Sequence, residues 1–322
     1  MRFSLIIALA PYRDAEILKS INELDFPKEE YEIIIEKGLN ASDNRNRGAE
    51  RSKGEIIVFL DDDGVVPKEL LQNASNFFKE HSEIDIVGGP QLTPLDEKGF
   101  AKLSGYALSS KFGGWDTSNR YGKKKLNLNV DETHLTTAIM FCKKKVVEEV
   151  KFDKKLWPGE DPKFIAEARQ KNFKVAYSPD LIIYHRRRPT IKALIKQIFN
   201  YGKVGPLRES FLETLRKPFF LIPSLFVIYI LFFFLGITIT PSLSGYVINE
   251  NILGFEVKIW QVLIFPLLVY VFLSLIYSFY ESIKNKDISG ILFLPIIFPI
   301  IHISYGAGRI YGSCQKLFGR KN

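Results

Sequence analysis

Three acidic residues in a row, Asp61-Asp62-Asp63, close an apolar run and are followed by Gly64. An Asp-x-Asp at the end of a buried strand offers two hard oxygen ligands suited to magnesium or manganese. A metal held there against a diphosphate neutralises charge on a departing nucleotide. A solvated turn would carry the same letters, so the triplet takes its meaning from its companions. Those are Glu160-Asp161 after Gly159, His185 ahead of Arg186-Arg187-Arg188, and Asn44-Arg45-Asn46. The last three open a helix whose positive end, with Arg45, can hold phosphate or ribose oxygens. Each has a plainer explanation too: acids favour helix starts, a lone histidine is often structural, and arginines beside apolar segments can face lipid phosphates.

The elements that must position these residues follow from hydrophobic patterning. Phe3 to Ala10, Tyr31 to Ile35 and Glu55 to Leu60 are apolar runs ending in polar or glycine-bearing residues, the pattern of buried parallel strands. Asp14 to Leu24 and Asn44 to Ser52 have helical composition between them. Strand and helix thus alternate as in a doubly wound, Rossmann-like α/β sheet, whose ligands bind outside the carboxyl ends of the strands. The acidic triplet falls at such an end. Further along, the spacing predicts helices over 67–80, 143–150 and 162–171 and strands over 84–87, 136–142, 175–177 and 181–184. Residues 91 to 133 lack periodicity and read as a long irregular stretch.

The chain has 322 residues and a formal net charge of +8, with mean hydropathy near zero. That average conceals two solvents: residues 1–189 have ordinary soluble composition, whereas 218–322 carry long apolar runs. Two spans, about 219–239 and 260–280, are long enough to cross the ~30 Å hydrocarbon core. A third segment, 288–306, is interrupted by Pro295 and Pro299 and is either crossing or re-entrant. Between the two parts, 190–217 places Ile191, Leu194, Ile195, Ile198 and Phe199 on one helical face, as in a helix lying on a membrane surface. Arg208, Arg216, Lys217, Lys284 and Lys286 flank one side of the spans, and the 241–257 loop has Glu250 and Glu256 but no basic residue, so the soluble part is expected on the cytoplasmic face. The basic tail, Lys316 to Lys321, follows that rule if the third segment is re-entrant. Basic clusters without a nucleic-acid motif read as contacts to membrane lipids rather than to nucleic acid. Cys142 and Cys314 have no ligand spacing. The opening MRFSLIIALA imitates a signal peptide but supplies the first strand and is expected to be retained.

Four ordered motifs over residues 3–188 resemble family 2 glycosyltransferases of the GT-A fold: FSLIIALAPYRDAEILKSI, NRNRGAERSKGEIIVFLDDD, Gly159-Glu160-Asp161 before a helix carrying Arg169, and YSPDLIIYHRRR. The resemblance implies a GT-A mixed sheet and a nucleotide-sugar donor contacted by Ala10, Tyr12, Glu36, Asn44, Arg45, Asp61, Asp62, Arg186 and Arg188. It implies Mg2+ or Mn2+ on Asp61, Asp63 and His185, and Asp161 as general base with Glu160 beside it. Glu36-Lys37-Gly38 departs from the family's usual Asp-Asp-Gly at the base-reading position. Asp131-Glu132-Thr133-His134 resembles a segment near the acceptor cleft, which puts Glu132 and His134 there, and Trp157 is a candidate to stack on an acceptor sugar ring, core packing being its plainer role. Gln197-Ile198-Phe199-Asn200-Tyr201 lacks the Arg-Trp of processive synthases. The function so implied is inverting, non-processive transfer of a hexose to a membrane-borne acceptor, such as a lipid-linked saccharide hydroxyl. A polyprenyl-phosphate sugar synthase, a nucleotidyltransferase and a non-catalytic membrane-anchoring module are the alternatives.

Overall fold

The structure is a computed structural model that describes residues 1–156, 158–209, 211–239, 247–252 and 255–318. It divides into two compact units, Met1–Thr190 and Ile191–Asn322.

The first unit runs β1 (Phe3–Leu9), α1 (Leu18–Asn22), β2 (Tyr31–Lys37), α2 (Ala41–Arg51), β3 (Ile56–Leu60), β4 (Gly64–Val65), α3 (Leu70–Glu80), β5 (Ile86–Gly88) and β6 (Gln91–Leu92). It continues with α4 (Gly99–Ser109), α5 (Lys111–Gly114), β7 (Ile139–Lys143), α6 (Lys144–Glu149), α7 (Glu160–Gln170), β8 (Val175–Tyr177) and β9 (Ile183–His185). Six strands form one sheet in the order β2-β1-β3-β7-β5-β8. β1 is parallel to β2 and β3, and β7 runs antiparallel between β3 and β5, so the sheet is mixed. Both faces of its central strands are covered, which is why β1 and β3 read as continuous apolar runs. Leu5, Ile7, Val58 and Leu60 pack with Ile17, Leu70, Leu71 and Ala74 on one face. Ile6, Ile57 and Phe59 pack with Val146, Phe152 and Phe164 on the other.

Three short strands, in the order β4-β9-β6, form a second sheet. Its register sets Gly64 opposite His185, so the residue after the acidic triplet is paired with a residue 121 positions later.

Residues 91–133 are not an irregular stretch. They contain β6, α4, α5 and a 3-10 turn over Trp115–Arg120. The inward side of α4 is built from Ala101, Leu103, Ser104, Gly105, Ala107 and Leu108, and its small and polar members dilute the apolar period by which a helix is recognised. The helix expected from Asp14 is also shorter: the Ile17 amide donates to the Asp62 carbonyl at 3.0 Å, and regular helix starts only at Leu18.

The second unit comprises α8 (Ile191–Arg208), α9 (Phe211–Arg216), α10 (Ile222–Ile239), an antiparallel hairpin of β10 (Val247–Ile252) and β11 (Phe255–Lys258), α11 (Ile259–Lys284) and α12 (Ser289–Phe318). Among the described residues three helical segments, Pro218–Leu235, Gln261–Lys284 and Ser289–Phe318, are long and apolar enough to cross a membrane. Pro295 and Pro299 lie inside α12 without ending it. α8 buries Leu194, Ile198, Gly202 and Val204 while Ile191 and Ile195 stay exposed. It meets α12 backbone to backbone: a Cβ on Gly202 would strike the Tyr305 carbonyl, and one on Gly308 would strike that of Phe199. Small residues permit such approach between apolar helices, where packing replaces the hydrophobic effect.

Candidate active site

The carboxyl ends of β1 and β3, the first turn of α7 and the end of β9 supply the site. β3 carries Asp61 to the sheet edge, where its amide donates to the Ala138 carbonyl at 3.3 Å. The β4–β9 pairing brings His185 over the triplet. Its Nε2 lies 3.0 Å from Asp63 and 3.9 Å from Asp61. One ligand atom each from Asp61, Asp63 and His185 falls within 4.8 Å of the others.

α7 begins after Gly159, whose φ of +114° is a conformation that side-chain-bearing residues rarely adopt. Glu160 and Asp161 therefore occupy the first helical turn, where the dipole favours anions. Asp161 accepts from the Thr137 amide at 3.1 Å and from its hydroxyl at 2.7 Å. Arg45 joins the two halves. Its buried guanidinium is 2.9 Å from Glu160, 3.4 Å from Asp61 and 3.7 Å from Asp161, over the Phe152 ring. On the far side of the triplet Arg13 pairs with Asp62 at 3.1 Å and Asp63 at 2.7 Å.

Five carboxyl groups thus face two guanidinium groups and one imidazole, and the titration of the acids reflects it. Burial pushes Asp61 up against the pull of Arg45 and His185. Burial likewise raises Asp62 to about 6 despite Arg13. Glu160 rises to about 7, through burial first and the charge of Asp161 second, with Arg45 opposing. Asp63 goes the other way: burial would raise it, but the hydrogen bond and charge of His185, and then Arg13, hold it well below the carboxylate range. Burial works to lower His185, and the hydrogen bond and charge of Asp63 and the charge of Asp61 overcome it. Two carboxylates and an imidazole converging amid excess negative charge form a donor set that fits magnesium or manganese.

Several predicted donor contacts take other partners. α2 opens at Asn40, whose side chain caps the Asp43 amide, so Asn44, Arg45 and Asn46 lie one turn inside and cannot form the helix's positive end. Asn44 instead donates to the carbonyls of Leu9 and Gly38, and Asn46 exchanges two hydrogen bonds with the Phe152 backbone. Arg45 forms ion pairs with Asp61, Glu160 and Asp161. Glu36 is buried with its two oxygens on Arg47 and Arg51, at 3.1 and 2.5 Å. Arg186 is exposed and pairs with Asp96 and Glu97. Arg187 is buried against Thr93, the Gln91 carbonyl and the Tyr121 ring, and Arg188 is exposed. Ala10 and Tyr12 stand in the turn after β1, Tyr12 being 82% exposed. His134 is tied to Asp131 at 3.0 Å, and the Glu132 carbonyl accepts from Arg120. Trp157 lies outside the described residues. Sequence reasoning missed Thr137 and Arg13. The only signal for either was proximity to a motif, in Arg13's case within Pro11-Tyr12-Arg13-Asp14.

A family model described as "Glycosyltransferase like family 2" matches residues 6–200. The chain belongs to this family. Its mixed α/β sheet is of the GT-A type, followed by three helices apolar enough to span a membrane. Among solved structures, this glycosyltransferase is similar to S. aureus TarS (residues 1–349), with 14% identity over 100% of this chain and 93% of that one and a TM-score of 0.45. The same TarS fragment is also known in complex with UDP and with UDP-GlcNAc. The chain is similar, too, to the mannosyltransferase PcManGT from Pyrobaculum calidifontis in complex with GDP-Man and Mn2+, with 16% identity over 65% of each chain and a TM-score of 0.42. No curated protein matches the sequence.

Proposed function

We propose that this family 2 glycosyltransferase is an inverting, metal-dependent hexosyltransferase that moves a sugar from a nucleotide-diphosphate donor to the hydroxyl of a membrane-borne acceptor, a lipid-linked saccharide. One observation carries the reading: Asp61, Asp63 and His185 converge within 4.8 Å, and Arg45 ties Asp61 to Glu160 and Asp161 in a single ion-pair network.

Asp61, Asp63 and His185 would hold the divalent cation, which when bound supplies charge neutralisation to the donor diphosphate. Asp161 takes the proton of the acceptor hydroxyl. The freed oxygen forms its bond to the anomeric carbon from one face as the bond to the nucleoside diphosphate breaks on the other, so configuration inverts. Thr137 fixes both oxygens of Asp161 in place. Glu160 anchors Arg45, which keeps Asp61 and Asp161 at a set separation.

The α10–α12 unit anchors the enzyme, with the catalytic unit on the cytoplasmic face, where Arg208, Arg216, Lys217, Lys284 and Lys286 meet the positive-inside bias. α12 is continuous through Pro295 and Pro299, which does not fit a segment that turns back within the membrane. Its second half packs along α8, and Gly306 lies against Pro223 near the start of α10.

The test is release of nucleoside diphosphate by the detergent-solubilised full chain over a panel of nucleotide sugars with Mn2+ or Mg2+, with NMR of the product anomer. A metal-dependent donor and an inverted product are expected. Absence of metal-dependent binding by every donor would sink the enzymatic reading and leave an anchoring module. Release of pyrophosphate would instead mark a nucleotidyltransferase. Activity on polyprenyl phosphate that survives Asp161→Asn would reassign the acceptor, since an ionised phosphate needs no base.

A further inference from the structure

Arg309 on α12 is only 4% exposed, yet among the described residues no carboxylate forms an ion pair with it. Its Nη2 donates to Thr214 Oγ1 at 2.8 Å, Tyr305 shares a hydrogen bond with it, and its Nη1 packs over Gly205. A buried guanidinium lacking a counter-ion is costly, and at membrane depth such a group marks a functional site by default. A plainer role would be to close the carbonyl end of α8. Lys316 already does that, its Nζ donating to the carbonyls of Pro206 at 2.7 Å and Glu209 at 2.5 Å. Arg208 is paired with Glu209. Arg208, Arg309 and Lys316 are thus neighbours, Arg208 on the Glu209 carboxylate and Lys316 on its backbone carbonyl, and Tyr305 lies in the field of Arg309, Arg208 and Glu209 together.

The depth of this cluster follows from its neighbours. Thr214 lies four residues before the first long apolar segment, Pro218–Leu235. Gly306, one turn before Arg309, sits against Pro223 inside that segment. The cluster thus stands where α10 enters the apolar layer, the level of lipid headgroups.

We propose that the junction of α8, α9 and α12 binds the phosphate of an anionic lipid, with Arg309 as its floor and Arg208, whose side chain is 20% exposed, as its rim. A guanidinium carries five donors in a fork that matches phosphate oxygens, and Thr214 and Tyr305 engage only part of that fork. A bilayer phospholipid and a phosphorylated polyprenyl carrier share this chemistry. None of these residues belongs to the catalytic unit, so the proposal stands apart from the reaction assigned above.

Native mass spectrometry of the full chain released from nanodiscs tests it, using phosphatidylcholine doped with phosphatidylglycerol in one arm and with a polyprenyl phosphate in the other. The wild type should retain the phosphate-bearing anionic lipid over phosphatidylcholine. Arg309→Met and Arg208→Gln should each lower its occupancy about fivefold, the effect of roughly one surface-level cation. Preferential retention of the polyprenyl phosphate would support the proposal with the carrier as ligand, and equal retention in both arms would support it with a bilayer lipid. Should Arg309→Met not fold, Arg208→Gln at the rim carries the test. Retention of phosphatidylcholine as strongly as of either anionic lipid, or wild-type occupancy in Arg208→Gln, would overturn it.

Discussion

In the catalytic unit the buried guanidinium of Arg45 lies within 3.7 Å of three carboxylates, whereas in the helical unit the buried guanidinium of Arg309 donates to the Thr214 hydroxyl and, among the described residues, has no ion pair with a carboxylate. The candidate site of the first unit gathers an excess of negative charge, and this junction of the second gathers an excess of positive charge. The helical unit otherwise packs through apolar side chains and glycine-mediated backbone contact, as at Gly202 and Gly308. On the function and the lipid site proposed above, a divalent cation would complete the first set of charges and an anionic phosphate the second.

The comparison breaks first at Asp161. Asp161→Asn keeps the shape and the Thr137 contacts but loses the base, and should lower kcat about 10²–10⁴-fold with donor KM little changed, measured by nucleoside diphosphate release. Unchanged kcat would remove the base from the scheme. Next comes Arg45→Met, which leaves three acids without their cation. It should cost about 3 kcal/mol in thermal unfolding in EDTA, and added Mn2+ should restore part of the loss because the metal replaces the missing charge. No rescue by metal would mean the two cations do not share a field.

The α8–α12 contact answers to volume rather than charge. Gly308→Val should destabilise by about 2 kcal/mol through overpacking, read by thermal unfolding in detergent, while Mn2+ binding measured by calorimetry stays at the wild-type value. The smallest effect is one of pH. Glu160 is held up at about 7 by burial and by Asp161, above the ordinary glutamate value, so its folded form prefers the proton. The stability this contributes is full below about pH 4.5 and is lost as pH rises through 7. In EDTA, Glu160→Gln should therefore gain on the wild type between pH 5 and pH 8 by on the order of 1 kcal/mol. A constant difference between the two would refute the raised carboxyl.

Much of the fold was legible because β1 and β3 are covered on both faces and so are written as unbroken apolar runs. The edge strand β2 was legible too, with Ile33 and Ile35 half-exposed. α4 was not, since its buried side relies on Ala101, Ser104 and Gly105, residues that carry little hydrophobic signal. Nor could sequence show that β7 enters the sheet antiparallel, because strand direction is set by pairing and leaves no mark on a five-residue run.

For the site, the sequence by itself determined the chemical alphabet: an acidic triplet closing a strand, an acidic pair at a helix start and a histidine ending a late strand. Their types and order suffice, since hard ligands and a base are properties of side chains. The tertiary structure alone decided who meets whom. Pairing of β4 with β9 set His185 against Asp63, and the first turn of α7 set Asp161 against Thr137. It also turned Asn44, Arg45 and Glu36, which by type could have met the donor, onto partners inside the fold. The physical reason is that a buried polar group must be satisfied by whatever packing brings near it, and packing depends on contacts a hundred residues apart.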